Sequence, residues 1–180
     1  RFEAHVEMLQ GTAFSAGDLL DKKVGPWHVS HLDKVAFIQG PYTWDYAAGM
    51  VRGSTRSHIQ VPDGRGGWSW RVVGDDKPLV VDGYRFYTSF NKGFAPILTW
   101  IPDHGAPETG SVNMPAYPLF EFKQDNSWTP PGGTEIKFWL RLDTGMNEKT
   151  DWVLDGEKTS GVLVVNTADG QRAELKPGDS

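Results

Sequence analysis

The chain of 180 residues contains no cysteine. That excludes disulfides, thiolate metal sites, thiol nucleophiles and covalent haem attachment to its own side chains. Cations are the scarcer charge, with Lys+Arg 18 against Asp+Glu 23, a net charge of −5 and a pI near 5.5. This balance argues against nucleic acid, whose phosphates reward Lys/Arg-rich faces, and tolerates a basic protein partner. Long hydrophobic runs are also missing. The longest largely apolar, uncharged stretch is 94–102 (FAPILTWIP), well short of the roughly 20 residues a membrane helix needs. The sequence opens at Arg1 without a signal-peptide pattern, and the expectation is a piece of a longer protein.

Glycine (21), proline (12) and aromatics (Trp 8, Phe 9, Tyr 5) are abundant. A chain of this length can bury roughly 70% of its unfolded surface and needs no covalent staple. Sustained helical periodicity is absent, whereas period-two alternation recurs. In 135–143 (EIKFWLRLD), Ile136, Phe138, Leu140 and Leu142 share one face, opposite Glu135, Lys137, Trp139, Arg141 and Asp143. Such alternation predicts a half-buried strand. Segments 84–90 and 2–8 repeat the pattern.

Turn chemistry falls between these runs. Asp63-Gly64, Asp82-Gly83, Asp155-Gly156 and Asp169-Gly170 offer residues that accept positive φ. Two hairpins are expected, one joining 79–81 to the Tyr84 strand and one joining 162–167 to 171–175. Prolines interrupt most stretches long enough for a helix, leaving one weak candidate around 13–22. The Pro-rich segment 101–131 reads as extended, ordered loop. The predicted fold is all-β, an antiparallel sandwich or barrel-like arrangement of ten to thirteen short strands with long Pro/Gly-rich loops, forming one domain over 1–180.

Enzyme signatures are absent. His28 and His31 in WHVSH would point to opposite faces of a strand and could not share an ion; His5, His58 and His104 stand alone. Acidic residues are plentiful enough to form a glycosidase-type pair, with Asp75, Asp76, Glu121, Glu135 and Asp143 as nominees, but sequence spacing alone does not show that they converge. No G-x-S-x-G elbow occurs, and the glycine-rich 64–67 and 130–133 lack the lysine and helix of a phosphate loop. Neither a catalytic residue nor a metal ligand is assigned. The tryptophans say more. Trp68 and Trp70 share a strand face, as core or as a stacking platform, and Trp139 falls on the polar face of its strand. Together they admit a binding module for a planar or apolar ligand, a sugar or a peptide.

The stretch 74–105 (GDDKPLVVDGYRFYTSFNKGFAPILTWIPDHG) resembles the ResB-like family of System II cytochrome c biogenesis. The most specific part is 81–90 (VDGYRFYTSF), followed by Pro96 to Trp100. Residues 1–9 and 109–133 (with MPAYPLFEFKQ and WTPPGG) carry further similarity. The resemblance implies an extracytoplasmic, non-catalytic domain of a bacterial inner-membrane protein, on the periplasmic side, flanked by membrane helices. Its implied partners are a CcsA-type membrane subunit and apocytochrome c. Haem is delivered by the full-length complex for attachment to a Cys-X-X-Cys-His motif; no histidine here matches a family haem ligand, so no cofactor is assigned to this domain. The candidate partner-binding residues are Tyr84, Arg85, Phe86, Tyr87, Trp100 and Trp139. An exposed edge beside Tyr84 would receive a peptide strand by β-addition. The alternative is a secreted carbohydrate-binding or glycoside-active β-sandwich that uses exposed Trp and Asp.

Overall fold

A computed structural model describes residues 1–88, 93–114, 123–143 and 147–180, with the backbone alone for 123–125. The chain is all-β. Fourteen strands occur among the described residues, and helical structure there is limited to two single 3-10 turns, Ala16–Asp18 and Leu32–Lys34. The described residues fall into two compact units. The first comprises Arg1–Tyr46 and Gly53–Thr88, the second Ala47–Arg52 and Ser89–Ser180. Because the chain enters the second unit briefly at 47–52 and returns, no Pro/Gly/Ser linker marks the division.

In the first unit, β1 (Phe2–His5) pairs antiparallel with β2 (Leu20–Val24). Strands β3 (Ile38–Ala47), β4 (Val51–Pro62) and β5 (Trp68–Gly74) lie side by side in that order, with β5 at the sheet edge. Hairpin β6 (Leu79–Val81) and β7 (Tyr84–Phe86) forms as expected around Asp82-Gly83. Both turn residues have positive φ, 47° and 80°, as a two-residue type I′ connection demands.

The core of this unit gathers Ile59, Val61 and Val73 from the sheet with Phe14, Leu32, Val35, Phe37 and Leu79, and Tyr84 and Phe86 pack against it. Phe14 and Phe37 are joined twice. The Phe14 N–H donates to the Phe37 carbonyl at 2.9 Å, and their rings stack at 5.0 Å. Phe86 meets both rings edge-on, at 5.3 and 5.0 Å. Asp75 ties down the turn after β5, its carboxylate accepting from the Thr55 hydroxyl at 2.7 Å, the Thr55 amide at 3.3 Å and the Thr88 hydroxyl at 2.8 Å.

The second unit is built on a four-stranded antiparallel sheet ordered β10 (Lys123–Trp128), β11 (Ile136–Asp143), β13 (Ser160–Thr167), β14 (Arg172–Leu175). The Asp169-Gly170 hairpin joins its last two strands as expected. Hairpin β8 (Ile97–Trp100) and β9 (Glu108–Ser111) contributes Leu98 and Trp100 to the core on Ile136, Phe138, Leu140 and Leu163, two β layers closing over one apolar seam. Strand β12 (Trp152–Asp155) precedes the Asp155-Gly156 turn.

Several expectations are corrected. No helix spans 13–22: Ser15 caps a single 3-10 turn, and the Leu20–Val24 run extends into β2 because its backbone pairs with β1. Segment 101–131 is not all loop, since β9 and β10 lie within it, while 115–122 falls outside the described residues. The 2–8 strand ends at His5. The 84–90 strand ends at Phe86, with Ser89 and Phe90 outside the described residues. Residues 27–32 form no strand, and Asp63-Gly64 opens a five-residue loop rather than a tight turn.

Two substitutions gauge these contacts by chemical denaturation. Asp75→Ala removes the carboxylate that accepts from the hydroxyl and amide of the fully buried Thr55 and is expected to cost about 1–3 kcal/mol. Phe86→Ala is expected to cost about 2–3 kcal/mol, below the fully buried range because the ring is only half-buried, whereas exposed Arg85→Ala should stay within about 0.5 kcal/mol.

Candidate functional site

Alternation decides what each nominated residue can offer. On β7, Tyr84 and Phe86 turn inward and Arg85 outward. Besides its packing on the core, Tyr84 holds a loop in place: its hydroxyl accepts from the His31 N–H at 3.0 Å and lies 3.3 Å from His28 Nε2. The His28 ring stacks on Phe2 at 4.8 Å, and Tyr84 meets both edge-on at 5.9 Å. Tyr84 and Phe86 are thus committed to intramolecular packing, while Arg85 and Tyr87, which is 57% exposed, face solvent.

Among the described residues β7 pairs with β6 alone. In a two-residue hairpin the flanking pair, Val81 and Tyr84, exchanges hydrogen bonds, and the next pair does not. The backbone N–H and C=O of Arg85 therefore point away from β6, toward the open edge.

Trp100 and Trp139 belong to the second unit and lie on opposite faces of its sheet. Trp100 is half-buried in the core, edge-on to Trp128 at 5.7 Å. Trp139 faces outward, and Arg172 sits over its ring at 5.4 Å. Glu174 accepts both guanidinium nitrogens of Arg141, at 3.1 and 2.8 Å, and one of Arg172 at 3.0 Å. Register explains the assembly: Trp139 and Glu174 flank the fully buried Val164 from either side. Hydrogen bonds from Arg141 and Arg172 hold the Glu174 carboxyl below the ordinary glutamate range.

Comparison with family models, with curated proteins and with solved structures gives no match. Function must be argued from the side chains.

Among the described acidic candidates, Glu135 and Asp143 do not form a pair. Glu135 and Asp143 stand at opposite ends of β11, on the order of 26 Å apart at strand rise, where a hydrolytic pair requires roughly 5–9.5 Å. Asp75 is engaged by Thr55 and Thr88, and Glu121 lies outside the described residues. His28 is packed between Phe2 and Tyr84, and no group of three His, Asp or Glu side chains gathers as metal ligands among the described residues. In the first unit, Tyr42 has its phenol pushed up by burial, with Tyr46 adding to the rise, so it stays neutral.

Two features escaped sequence reasoning. Arg172 and Glu174 alternate outward on β14, a pattern visible in the sequence, but their meeting with Trp139 depends on the strand order. Gly40 lies beneath Trp70: a Cβ there would fall 2.8 Å from Cζ3 of the indole. No local signal announces that contact.

Glu174 supplies a pH-dependent test. A carboxyl depressed in the folded state contributes stability that is present above its unfolded pKa and lost as pH falls through the folded value. The Glu174 side-chain carboxyl signal in an NMR titration should therefore move at a pH below the ordinary glutamate midpoint. Glu174→Gln, which frees Arg172 from its anchor, should alter tryptophan emission without unfolding the chain.

Proposed function

We propose that the chain is the soluble, non-catalytic β-rich domain of a ResB-like cytochrome c assembly protein. In that role it presents apocytochrome c for haem attachment. The observation that carries the reading is the 81–90 segment. Within it, Val81 to Phe86 belong to the β6–β7 hairpin, whose Tyr84 and Phe86 anchor it inward and whose Arg85 backbone is turned toward an open edge. An unfolded Cys-X-X-Cys-His segment would add to β7 as a further strand, using main-chain hydrogen bonds for affinity and the exposed Tyr87 as a side-chain contact. The net charge of −5 favours encounter with basic apocytochromes, raising the on-rate more than the affinity. Haem is cargo of the full-length complex with its CcsA-type membrane subunit, and no residue of this chain is assigned as its ligand. The thiols of the reaction belong to the substrate, in keeping with a domain that has no cysteine.

A fluorescently labelled Cys-X-X-Cys-His peptide titrated into the chain tests this. Binding is expected at low salt and should weaken as ionic strength rises. Arg85→Pro removes an N–H that β6 does not use, and should weaken binding about fivefold to tenfold, the worth of roughly one hydrogen bond, with the fold retained. No binding at low salt, or equal binding by the proline variant, overturns the proposal.

A further inference from the structure

The β4–β5 hairpin has a composition unlike the rest of the chain. Residues 51–74 carry Arg52, Arg56, Arg65 and Arg71 against Asp63 alone, a local net of +3 within a chain of net −5. The same hairpin holds the largest exposed aromatic surface of the first unit's sheet. Trp68 and Trp70 are 49% and 57% exposed, with Val72 beyond them on the same face of β5. Two residues along a strand put the indoles about 6.6 Å apart.

The platform is built rather than incidental. The benzo edge of Trp70 rests on Gly40, where a Cβ would stand 2.8 Å from Cζ3 and 3.2 Å from Cη2 and nearer still to the His58 carbonyl oxygen, so glycine admits both the neighbouring strand's backbone and the indole. Register sets polar groups beside the rings: Gln60 opposite Trp70 and His58 opposite Val72, both half-buried. The adjoining loop is ordered by Asp63, whose Oδ1 accepts from Arg65 N–H at 2.8 Å and Gly67 N–H at 2.9 Å. The Arg65 guanidinium group makes no ion pair among the described residues, whereas Arg56 is held by Asp45 at 2.6 Å and Arg71, opposite Ile59 in register, falls on the other face of β5.

We infer that the Trp68–Trp70 face of β5 is a binding site for an acidic polysaccharide. Indoles present apolar faces to the C–H faces of successive sugar rings, Gln60 and His58 offer hydrogen bonds to ring hydroxyls, and Arg65, in the loop that leads into Trp68, complements a carboxylate of the polymer. Insertion into a lipid surface is less well served. The hairpin tip, 63–67, is polar and the indoles stand on the sheet face behind it, not at the tip. The inference is independent of any role in cytochrome assembly, since it involves neither β7 nor the second unit.

The test is titration of the full chain with a hexamer of polygalacturonate, followed by tryptophan fluorescence and calorimetry. A neutral cello-hexaose, a single-stranded oligonucleotide and anionic vesicles serve as comparisons. The expected result is a change in emission with the uronate hexamer, affinity that falls as salt rises, and at least tenfold weakening by Trp70→Ala. Arg65→Ser should weaken binding severalfold and reduce its salt dependence. Both residues are exposed, so the variants should fold, which their melting curves check. The inference is overturned by no binding of the uronate hexamer, by equal or tighter binding of the neutral sugar, oligonucleotide or vesicles, or by unchanged binding in Trp70→Ala.

Discussion

The edge-on seating of Phe86 against the stacked pair Phe14 and Phe37 is the interaction on which the first unit turns. Three segments distant in sequence meet there, and the β6–β7 hairpin is fixed at its far end by Phe86 and at its near end by Tyr84. With both aromatics directed inward, period-two geometry leaves Arg85 directed outward, side chain and free main-chain edge together. The hairpin offers a rigid edge because its aromatic side chains are occupied. This reverses the simplest reading of an aromatic-rich motif, in which the rings themselves make the pockets for a partner.

A comparable economy governs the second unit. Val164 is an apolar residue whose cross-strand neighbours are Trp139 on one side and Glu174 on the other. Arg172, which Glu174 holds, lies over Trp139, so one face of that indole is already occupied. Exposed ion pairs are worth little singly, and here their consequence is positional: Glu174 keeps Arg172 over the ring. Trp68 and Trp70 carry no such cover.

The sequence was most informative where a property is local. Strand β11 follows the alternation of 136–143 residue by residue, and the Asp-Gly turns at 82 and 169 make the expected hairpins because positive φ is a local requirement, met by Asp82 and Gly83 in the first and by Gly170 in the second. Legibility failed where a decision is made at a distance. The 13–22 segment carries residues compatible with a short helix, but pairing of Leu20–Val24 with β1 overrides that weak propensity. The place of Gly40 under Trp70 and the capping of Trp139 by Arg172 depend on which strands become neighbours, and a period-two pattern is silent on strand order. The division into two units is hidden for the same reason, since the chain crosses between them at 47–52 and again after Thr88 without a compositional break.

The central claim is that β7 presents an open main-chain edge at Arg85 for a peptide strand. Amide hydrogen exchange at Arg85, measured by NMR in the free chain and with the Cys-X-X-Cys-His peptide, tests it most directly. The account predicts fast exchange at Arg85 in the free chain, slow exchange at the ladder amide of Tyr84, and strong protection of Arg85 once peptide is added. An Arg85 amide already protected in the free chain, or one whose exchange the peptide leaves unchanged, would contradict it.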